Sequence, residues 1–305
     1  MRETEKVFKE LEEYMQQHKD EITDEASQRE LIDRFMKEYN ARLDESEDDA
    51  PETADDYLEL AMSASSKKKE QEYLKKALEL DPENVDAECQ LIMVDSDKKP
   101  IECLDKLKVL IDKETKRLEK NGEFEYAGDF WGILETRPYM RARYSYFQML
   151  HANGMIHLAI SEANEMLRLC EDDNLGVRYP LMHLYAYLED EEHALALHKK
   201  FEEYDETQML LPLVVLYYKL GQFDKAEGYL KRLSAANADT RAFLKDLAND
   251  NRFLHNQNPY GYRPGTYEEF LVEMEYSILL FIGIPGFADW ALKHLPRRTS
   301  KSKKK

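Results

Sequence analysis

The chain has few of the residues that mark disulfide scaffolds, metal sites or membrane spans. Only 3 of its 305 residues are cysteine, 11 are glycine and 10 are proline. Cys89, Cys103 and Cys170 have neither paired spacing nor a nearby histidine. This pattern favours buried thiols over metal ligands. The longest apolar run, Ile278 to Ile284, is interrupted by glycine and too short to cross a bilayer.

Recognisable catalytic motifs are also missing. The sequence contains no glycine-rich phosphate loop, no Gly-x-Ser-x-Gly, no His-Glu-x-x-His and no Cys-x-x-Cys. The histidines are dispersed, and the two closest of these on one predicted helix, His193 and His198, are too far apart in register to share a helix face as metal ligands. We therefore predict that the protein is not an enzyme and holds no cofactor and no metal.

Positive charge is scarce except at the C-terminus. The chain has 43 basic and 62 acidic residues, a formal net charge of −19. Such a body repels polyanions, so we predict no nucleic-acid partner for it. The tail, residues 296–305, is basic and is expected to be disordered, either as a solubilising end or as a contact for RNA or anionic lipid. No apolar signal region follows Met1, which together with the few cysteines predicts a cytoplasmic protein without a membrane span.

Helical apolar spacing is abundant. Residues 1–43 contain two amphipathic stripes, one around Phe8 and one around Phe35, which predict an N-terminal helical hairpin. Residues 44–56 are rich in acids and surround Pro51, so they predict an acidic linker that lets the hairpin move. No alternating pattern is long enough to predict a strand. The sequence therefore predicts an all-α protein.

The middle of the chain repeats itself. Small residues follow predicted turns at Ala159, Ala194 and Ala226, about 35 and then about 32 residues apart. A period of this size is typical of stacked helix pairs. We expect the three alanines to lie where paired helices cross, and Gly154 and Gly221 to adopt left-handed backbone conformations at helix ends. The predicted pairs are 138–152 with 155–170, 175–188 with 191–204, and 207–220 with 223–236.

The period sets the predicted domain boundaries. Residues 57–237 form the repeats, interrupted by an aromatic insertion at 121–137 that packs on them, and residues 238–295 form C-terminal capping helices. Thr266 and Glu269 have the spacing of a helix-capping box. Asn174 is predicted to cap a helix that begins near Leu175, with Gly176 allowing close packing.

Two stretches resemble tetratricopeptide repeats. They are Tyr217-Tyr218-Lys219-Leu220-Gly221-Gln222-Phe223-Asp224-Lys225-Ala226 and Ala77-Leu78-Glu79-Leu80-Asp81-Pro82, and the resemblance covers residues 57–237. A narrower set, with Trp131-Gly132, Glu135 to Ala142, Met166 to Leu169, Asp173 to Tyr179, Pro264-Gly265-Thr266 and Glu268-Glu269, is similar to bacterial tetratricopeptide proteins related to the suppressor-of-tumorigenicity-seven family. The resemblance implies a right-handed α-solenoid that serves as an interaction scaffold. Some of these proteins end in a cysteine-rich zinc motif, but no cysteine follows Cys170 here.

The resemblance also implies that the first helix of each pair lines a concave groove. The implied lining residues are Arg141, Tyr144, Gln148, His151, Tyr179, His183, Tyr187, Leu211, Val215, Tyr218 and Lys219. Aromatic faces and a carboxylate contact from Arg141 would suit an extended peptide or a helix. A clamp for C-terminal carboxylates is not implied, because Gln148, His183 and Val215 occupy its central positions. An alternative is that the tyrosines are core or wall residues and that Arg137, Arg141 and Arg178 pair with the chain's own acids.

Two functional hypotheses follow. The first is a non-enzymatic scaffold that binds a peptide or helix of a partner protein in the concave face of residues 138–220. The second is a structural protein that forms homo-oligomers through the apolar stripes of its N-terminal hairpin.

Overall fold

The computed structural model describes residues 2–45, 51–249 and 261–295. Over these ranges the regular secondary structure is helical, and the only β-type pairings are two isolated bridges, of Gly128 and of Asp129 with Cys170. The prediction of an all-α protein is therefore confirmed. In the same ranges, no helix combines the length and apolar character that crossing a bilayer requires. The basic tail lies outside the described residues.

The chain divides into two compact units, and each has its own helices. Unit 1 consists of Met1–Gly154 with Arg168–Glu171, and unit 2 of Met155–Leu167 with Asp172–Lys305. The helices of unit 1 are α1 (Arg2–Gln17), α2 (Glu25–Glu45), α3 (Ala54–Met62), α4 (Lys67–Leu80), α5 (Val85–Met93), α6 (Pro100–Asn121) and α7 (Arg137–Ala152). The helices of unit 2 are α8 (Ile156–Leu169), α9 (Arg178–Tyr187), α10 (Glu191–Lys200), α11 (Thr207–Lys219), α12 (Phe223–Ala236), α13 (Thr240–Ala248), α14 (Tyr267–Phe281) and α15 (Phe287–His294). The last two residues of α8, Arg168 and Leu169, belong to unit 1.

Unit 1 is built from helices that pack on their neighbours in sequence, from α3 through α7, while α5 also contacts α7. Leu58, Leu74 and Ala77 are buried where α3, α4 and α5 meet. The small side chain of Ala77 is fully buried, as expected where two helices approach closely. Burial of these apolar faces, at about 25 cal/mol per Å², is the main term that holds such a stack together.

Helix α3 begins inside the segment that was predicted to be a linker. The Thr53 hydroxyl accepts a hydrogen bond from the Asp56 amide, and the Asp56 carboxylate accepts one from the Thr53 amide, which makes a capping box. The acids of this segment therefore do more than solvate the chain. Asp55 and Asp56 lie in the first turn of α3, where negative charge is favourable.

The aromatic insertion packs on the helices of unit 1, as predicted. Gly122 ends α6 with a φ of 85°, and the short 3-10 helices Glu123–Tyr126 and Leu134–Thr136 follow. Phe130 is fully buried and lies edge-on to Phe124 and Tyr139, with ring centroids 5.2 and 6.2 Å away. Its ring packs the insertion against α7 through Tyr139.

The positions predicted from the repeat period agree with the structure. Ala159, Ala194 and Ala226 are all fully buried. Gly154 and Gly221 have φ values of 70° and 69°, a region that glycine adopts without a Cβ clash. The three cysteines are also buried, and none of them forms a disulfide within the described part of the chain.

The predicted N-cap at Asn174 was wrong. Helix α9 begins at Arg178, and the carboxylate of Asp173, rather than Asn174, accepts hydrogen bonds from the Val177 and Arg178 amides at 2.7 and 3.0 Å. Gly176 is needed for its φ of 69° more than for close packing. Helix α10 also ends at Lys200, earlier than the predicted 204.

The predicted capping box at Thr266 does not form either. The Thr266 hydroxyl donates to the Arg263 carbonyl, and its side chain makes no cap contact with α14. The Glu269 carboxylate instead accepts hydrogen bonds from the Gly265 amide and the Thr207 hydroxyl. The physical reason is that this carboxylate is drawn into the interior of unit 2.

Candidate functional site

The predicted groove residues divide between the two units, with Arg141, Tyr144, Gln148 and His151 on α7 of unit 1. Arg141 is occupied by acids of its own chain. Its Nε and Nη2 donate to the two oxygens of Asp86 at 2.8 and 2.6 Å, and its Nη1 donates to Glu5 at 2.7 Å. Arg141 therefore joins α1, α5 and α7, and the pairing with the chain's own acids that the sequence left open is what the structure has.

The remaining three residues on α7 offer little continuous surface. Gln148 is exposed, whereas Tyr144 and His151 are half-buried. Both rings contact buried Phe147, at centroid distances of 6.1 and 6.2 Å. Burial lowers the pKa of His151 below its usual value, so the ring favours its neutral form. These positions act mainly as the outer layer of the unit 1 core.

In unit 2, three predicted groove positions are core positions instead. Leu211 and Val215 are fully buried, and His183 is almost so. Helix α11 contacts α9, α12 and α14, and α14 also contacts α9. These helices surround the positions that the repeat pattern assigned to a groove. The prediction failed because a repeat register cannot show that a later helix folds back over the same face.

The polar groups at the edge of unit 2 are engaged within the unit. The Lys219 ammonium donates to the carbonyls of Ala186 and Tyr187 at 3.2 and 2.6 Å, at the C-terminal end of α9. A cation there is favoured by the helix dipole. The Lys219 ammonium also lies 5.5 Å from the ring centroid of Tyr187. The Tyr187 side chain is more exposed than that of Lys219.

The two other predicted tyrosines of unit 2 are also held by neighbours. The Tyr218 ring lies 5.3 Å from Phe287 and 5.2 Å from Trp290, so it belongs to the contact with α15. The guanidinium of Arg178 stacks on Tyr179 at 4.3 Å and donates to its hydroxyl. Burial raises the pKa of Tyr179. Neither ring is presented as an open binding face.

A buried polar cluster lies inside unit 2. His183 Nε2 is 3.3 Å from Glu273 Oε1, and both side chains are buried. The neighbouring Glu269 carboxylate accepts from the Thr207 hydroxyl at 2.7 Å, and Asn237 donates to Thr207 at 3.1 Å. Burial, and then the charge of Glu269, raises the pKa of Glu273 well above its usual range. This cluster joins α9, α11 and α14.

A cleft of about 1320 Å³ lies wholly within unit 1. Its sides come from the α1–α2 hairpin, from α3 and from the segments that enter α5 and α7. We define the cleft floor as its apolar lining residues on α1, α2 and α3: Val7, Phe8, Leu11, Ile32, Met36 and Met62. Phe8, Met36 and Met62 are 46%, 38% and 70% exposed, so the floor faces solvent.

Acidic side chains surround this floor. We define the cleft rim as the exposed acids that line the cavity: Asp55, Glu59, Asp81, Glu83 and Glu135. The cleft also contains cations, but most of them are already paired. Lys6 contacts Asp56 at 3.4 Å, Arg117 contacts Glu114 at 2.7 Å, and Arg141 pairs with Asp86. The rim therefore presents negative charge that is poorly balanced inside the cleft.

The two helices of the hairpin are held together by aromatic and polar contacts. Tyr14 of α1 packs on Phe35 of α2, with ring centroids 5.4 Å apart, and Leu31 and Phe35 are buried. Arg34 donates to the Tyr14 hydroxyl at 2.8 Å. These contacts join α1 to α2, while Phe8 and Met36 stay exposed in the cleft. The sequence signal was the pair of stripes, but their exposure could not be predicted.

Comparisons with known proteins give no functional assignment. A scan against protein-family models finds no match for this chain, and a search of the curated proteins finds no matching sequence either. Among the residues that the structure describes, no three His, Cys, Asp or Glu side chains form a group that could hold a metal ion. The cleft presents apolar and acidic side chains.

Proposed function

We propose that the protein is a non-enzymatic interaction module that binds a polypeptide segment of a partner protein in the cleft of unit 1. The observation that carries the proposal is the exposed floor, where Phe8, Met36 and Met62 line one cavity. Contiguous exposed apolar surface with a polar surround is typical of protein-interaction sites. The cleft replaces the groove predicted over residues 138–220, since His183, Leu211 and Val215 are buried.

The size of the cleft suits a secondary-structure element better than a small molecule. One turn of an α-helix is about 10 Å across and about 5.4 Å long, so it occupies roughly 400 Å³ and about three turns match the cavity. Small-molecule pockets are usually smaller, at about 300 to 1,000 Å³. Met36 and Met62 add flexible, polarizable side chains, which adapt to the shape of a bound apolar face.

The finer architecture is part of the same proposal. Contacts between alternate helices, α5 with α7 in unit 1 and α9 with α11 in unit 2, are expected when helix pairs stack. Together with the buried small residues, they support a tetratricopeptide-like arrangement and, with it, the resemblance to proteins related to the suppressor-of-tumorigenicity-seven family. We extend this proposal to a right-handed solenoid.

Affinity capture with matched variants tests the function. The full chain, a Phe8→Ser, Met62→Ser floor variant and a Leu158→Ser, Tyr204→Ser control would be used as baits. The control removes two exposed apolar side chains of unit 2. We expect a specific partner to be lost from the floor variant only, and the captured segment to bind the purified wild-type chain directly. Equal capture by the floor variant would reject the cleft.

Self-assembly is the second candidate, because the same exposed residues could bury themselves against another copy. Phe8 and Met36 belong to the N-terminal hairpin, as the sequence-based alternative requires. Multi-angle light scattering of the wild type and the Phe8→Ser, Met36→Ser variant separates the two. A dimer that dissociates in the variant favours self-assembly, and a monomer in both favours a separate partner.

A further inference from the structure

We propose that the cleft of unit 1 takes a basic amphipathic helix, with its apolar stripe on the cleft floor and its lysines or arginines against the cleft rim. This inference rests on the proposed function and states the chemical class of the partner. Helix-in-groove binding has this form, with anchors at helical spacing from one face of the bound segment.

The charge around the cleft floor is negative. Asp55 and Glu59 lie on α3, Glu83 precedes α5, and Glu135 precedes α7, so the acids approach the cavity from three directions. Within the described residues, none of these four carboxylates makes an ion pair. Of the cleft's cations, Lys6, Arg117 and Arg141 have acidic partners, and Lys9 is exposed. A ligand with positive flanks would supply the missing counter-charges.

The shape of the cleft floor favours a helix over an extended strand. The floor residues come from α1, α2 and α3 and form a trough with Met36 and Met62 on separate helices. An extended strand would need an open sheet edge to satisfy its backbone, and the described residues provide none. A helix satisfies its backbone internally and needs only one apolar stripe. The trough therefore favours a helix.

The chain's own tail, a second copy and a lipid surface do not match the cleft. The basic tail of this chain, residues 296–305, consists of proline, serine, threonine, arginine and lysine, so it carries no large apolar side chain for the floor to bury. The α1 segment of a second copy contains more acids than bases, which the rim would repel. An anionic lipid surface would be repelled by the same carboxylates.

The experiment measures binding of designed peptides to the full chain by fluorescence anisotropy. Two labelled peptides of about 14 residues, roughly four helical turns, share one leucine stripe and carry either lysine or glutamate on the remaining face. The rim variant is Asp55→Asn, Glu59→Gln, Glu83→Gln, Glu135→Gln. The matched control, Asp105→Asn, Asp112→Asn, Glu119→Gln, Glu125→Gln, removes the same charge from exposed positions of unit 1 outside the cleft.

We expect the lysine peptide to bind and the glutamate peptide to bind at least about tenfold more weakly. The rim variant should lose about tenfold in affinity for the lysine peptide, and the control variant should lose much less. Equal losses in both variants would mean unspecific attraction to net charge and would overturn the inference. Equal binding of both peptides, abolished by Phe8→Ser, Met62→Ser, would overturn the charge class and retain the proposed function. Failure of every peptide to bind would reject both.

Two further arms test the other occupants. A synthetic peptide with the sequence of residues 296–305 is added as a competitor, and displacement of the lysine peptide would identify the chain's own tail as the occupant. Light scattering of the free wild-type chain and of the Phe8→Ser, Met36→Ser variant, at the concentration used for binding, tests for a second copy, since a dimer that dissociates only in the variant would occupy the cleft. Either result would overturn the inference.

Discussion

Unit 1 and unit 2 are both helical, but they use their apolar faces differently. In unit 2, α14 packs on α9 and α11 and covers them, so Leu211 and Val215 are fully buried. In unit 1, the hairpin is tied down by Glu5 and Lys6 and leaves Phe8 and Met62 exposed. The difference teaches that an apolar stripe predicts a covered face without saying whether the same chain or a partner covers it.

Ionisable groups follow the same division. Unit 2 buries Glu273 beside His183 inside its core, where neither can meet a ligand. Unit 1 keeps the acids of the cleft rim exposed. Buried charge is costly unless it is paired or neutralised, whereas exposed charge is available for a partner. This contrast supports the binding site proposed in unit 1.

The most damaging change predicted for this comparison is Val215→Asp. If Val215 lined a groove, the aspartate would be tolerated. Because the side chain is fully buried in α11, we expect a loss of about 4 to 5 kcal/mol in the free energy of unfolding of unit 2. Urea denaturation monitored by circular dichroism measures it. Leu158→Asp, at an exposed leucine of the same unit, is the control and should change little.

Arg141→Ala tests what attaches the hairpin to the rest of unit 1. The substitution leaves the half-buried Asp86 and the buried Glu5 without their shared guanidinium. We expect unfolding of unit 1 to become easier by about 2 kcal/mol and amide exchange in α1 to accelerate. Arg29→Ala removes an exposed pair with Glu25 and should leave both measurements near wild type. Unchanged exchange in α1 would show that Arg141 does not hold the hairpin.

Overpacking a helix crossing should have a moderate effect. Ala226 is fully buried on α12, and Ala235 is exposed on the same helix. Ala226→Leu should lower the free energy of unfolding by about 1 to 3 kcal/mol, because the extra side chain has no space. Ala235→Leu adds the same atoms to the same helix at the surface. Equal stabilities of the two variants in urea would show that the repeat register is wrong.

The smallest expected effect is a change in pH dependence. Burial raises the pKa of Glu273 above its usual 4.5, so the folded protein keeps a proton that the unfolded chain has released. Stability from this group is therefore complete below the usual pKa and falls as pH rises through the folded pKa. Glu273→Gln stays neutral at every pH, and its stability should fall less between about pH 5 and pH 8.

Asp172→Asn is the control for this pH series, since Asp172 is exposed in the same unit. It should keep the wild-type fall in stability. Identical pH profiles for the wild type and Glu273→Gln would show that Glu273 titrates alike in the folded and unfolded states.

Local features of the fold were predictable from the sequence. Helix spacing and small residues predicted close packing at Ala159, Ala194 and Ala226, and all three side chains are fully buried. Cap identity was less predictable. Asp173 and Asn174 are adjacent and chemically similar, and the choice between them depends on which residue adopts a φ of 52°.

The candidate site was less predictable, because it depends on contacts between distant segments. Arg141 was predicted to contact a partner, with pairing to the chain's own acids as the alternative; the structure has the alternative, and the partner Glu5 is far away in the sequence. The burial of Val215 depends on α14, which begins more than 50 residues later. The stripes that form the cleft floor were visible in the sequence, one on each hairpin helix, yet only the structure shows that Phe8 and Met36 stay exposed.

Methionine methyl NMR tests the central claim most directly, because reporters lie in both units. Met36 and Met62 are exposed on the cleft floor, whereas Met182 and Met209 are buried in unit 2. On addition of the lysine-bearing helical peptide, we predict saturable shifts of the Met36 and Met62 methyl resonances, with Met182 and Met209 unchanged. Saturable shifts confined to Met182 and Met209, or binding without any change at Met36 and Met62, would contradict the account.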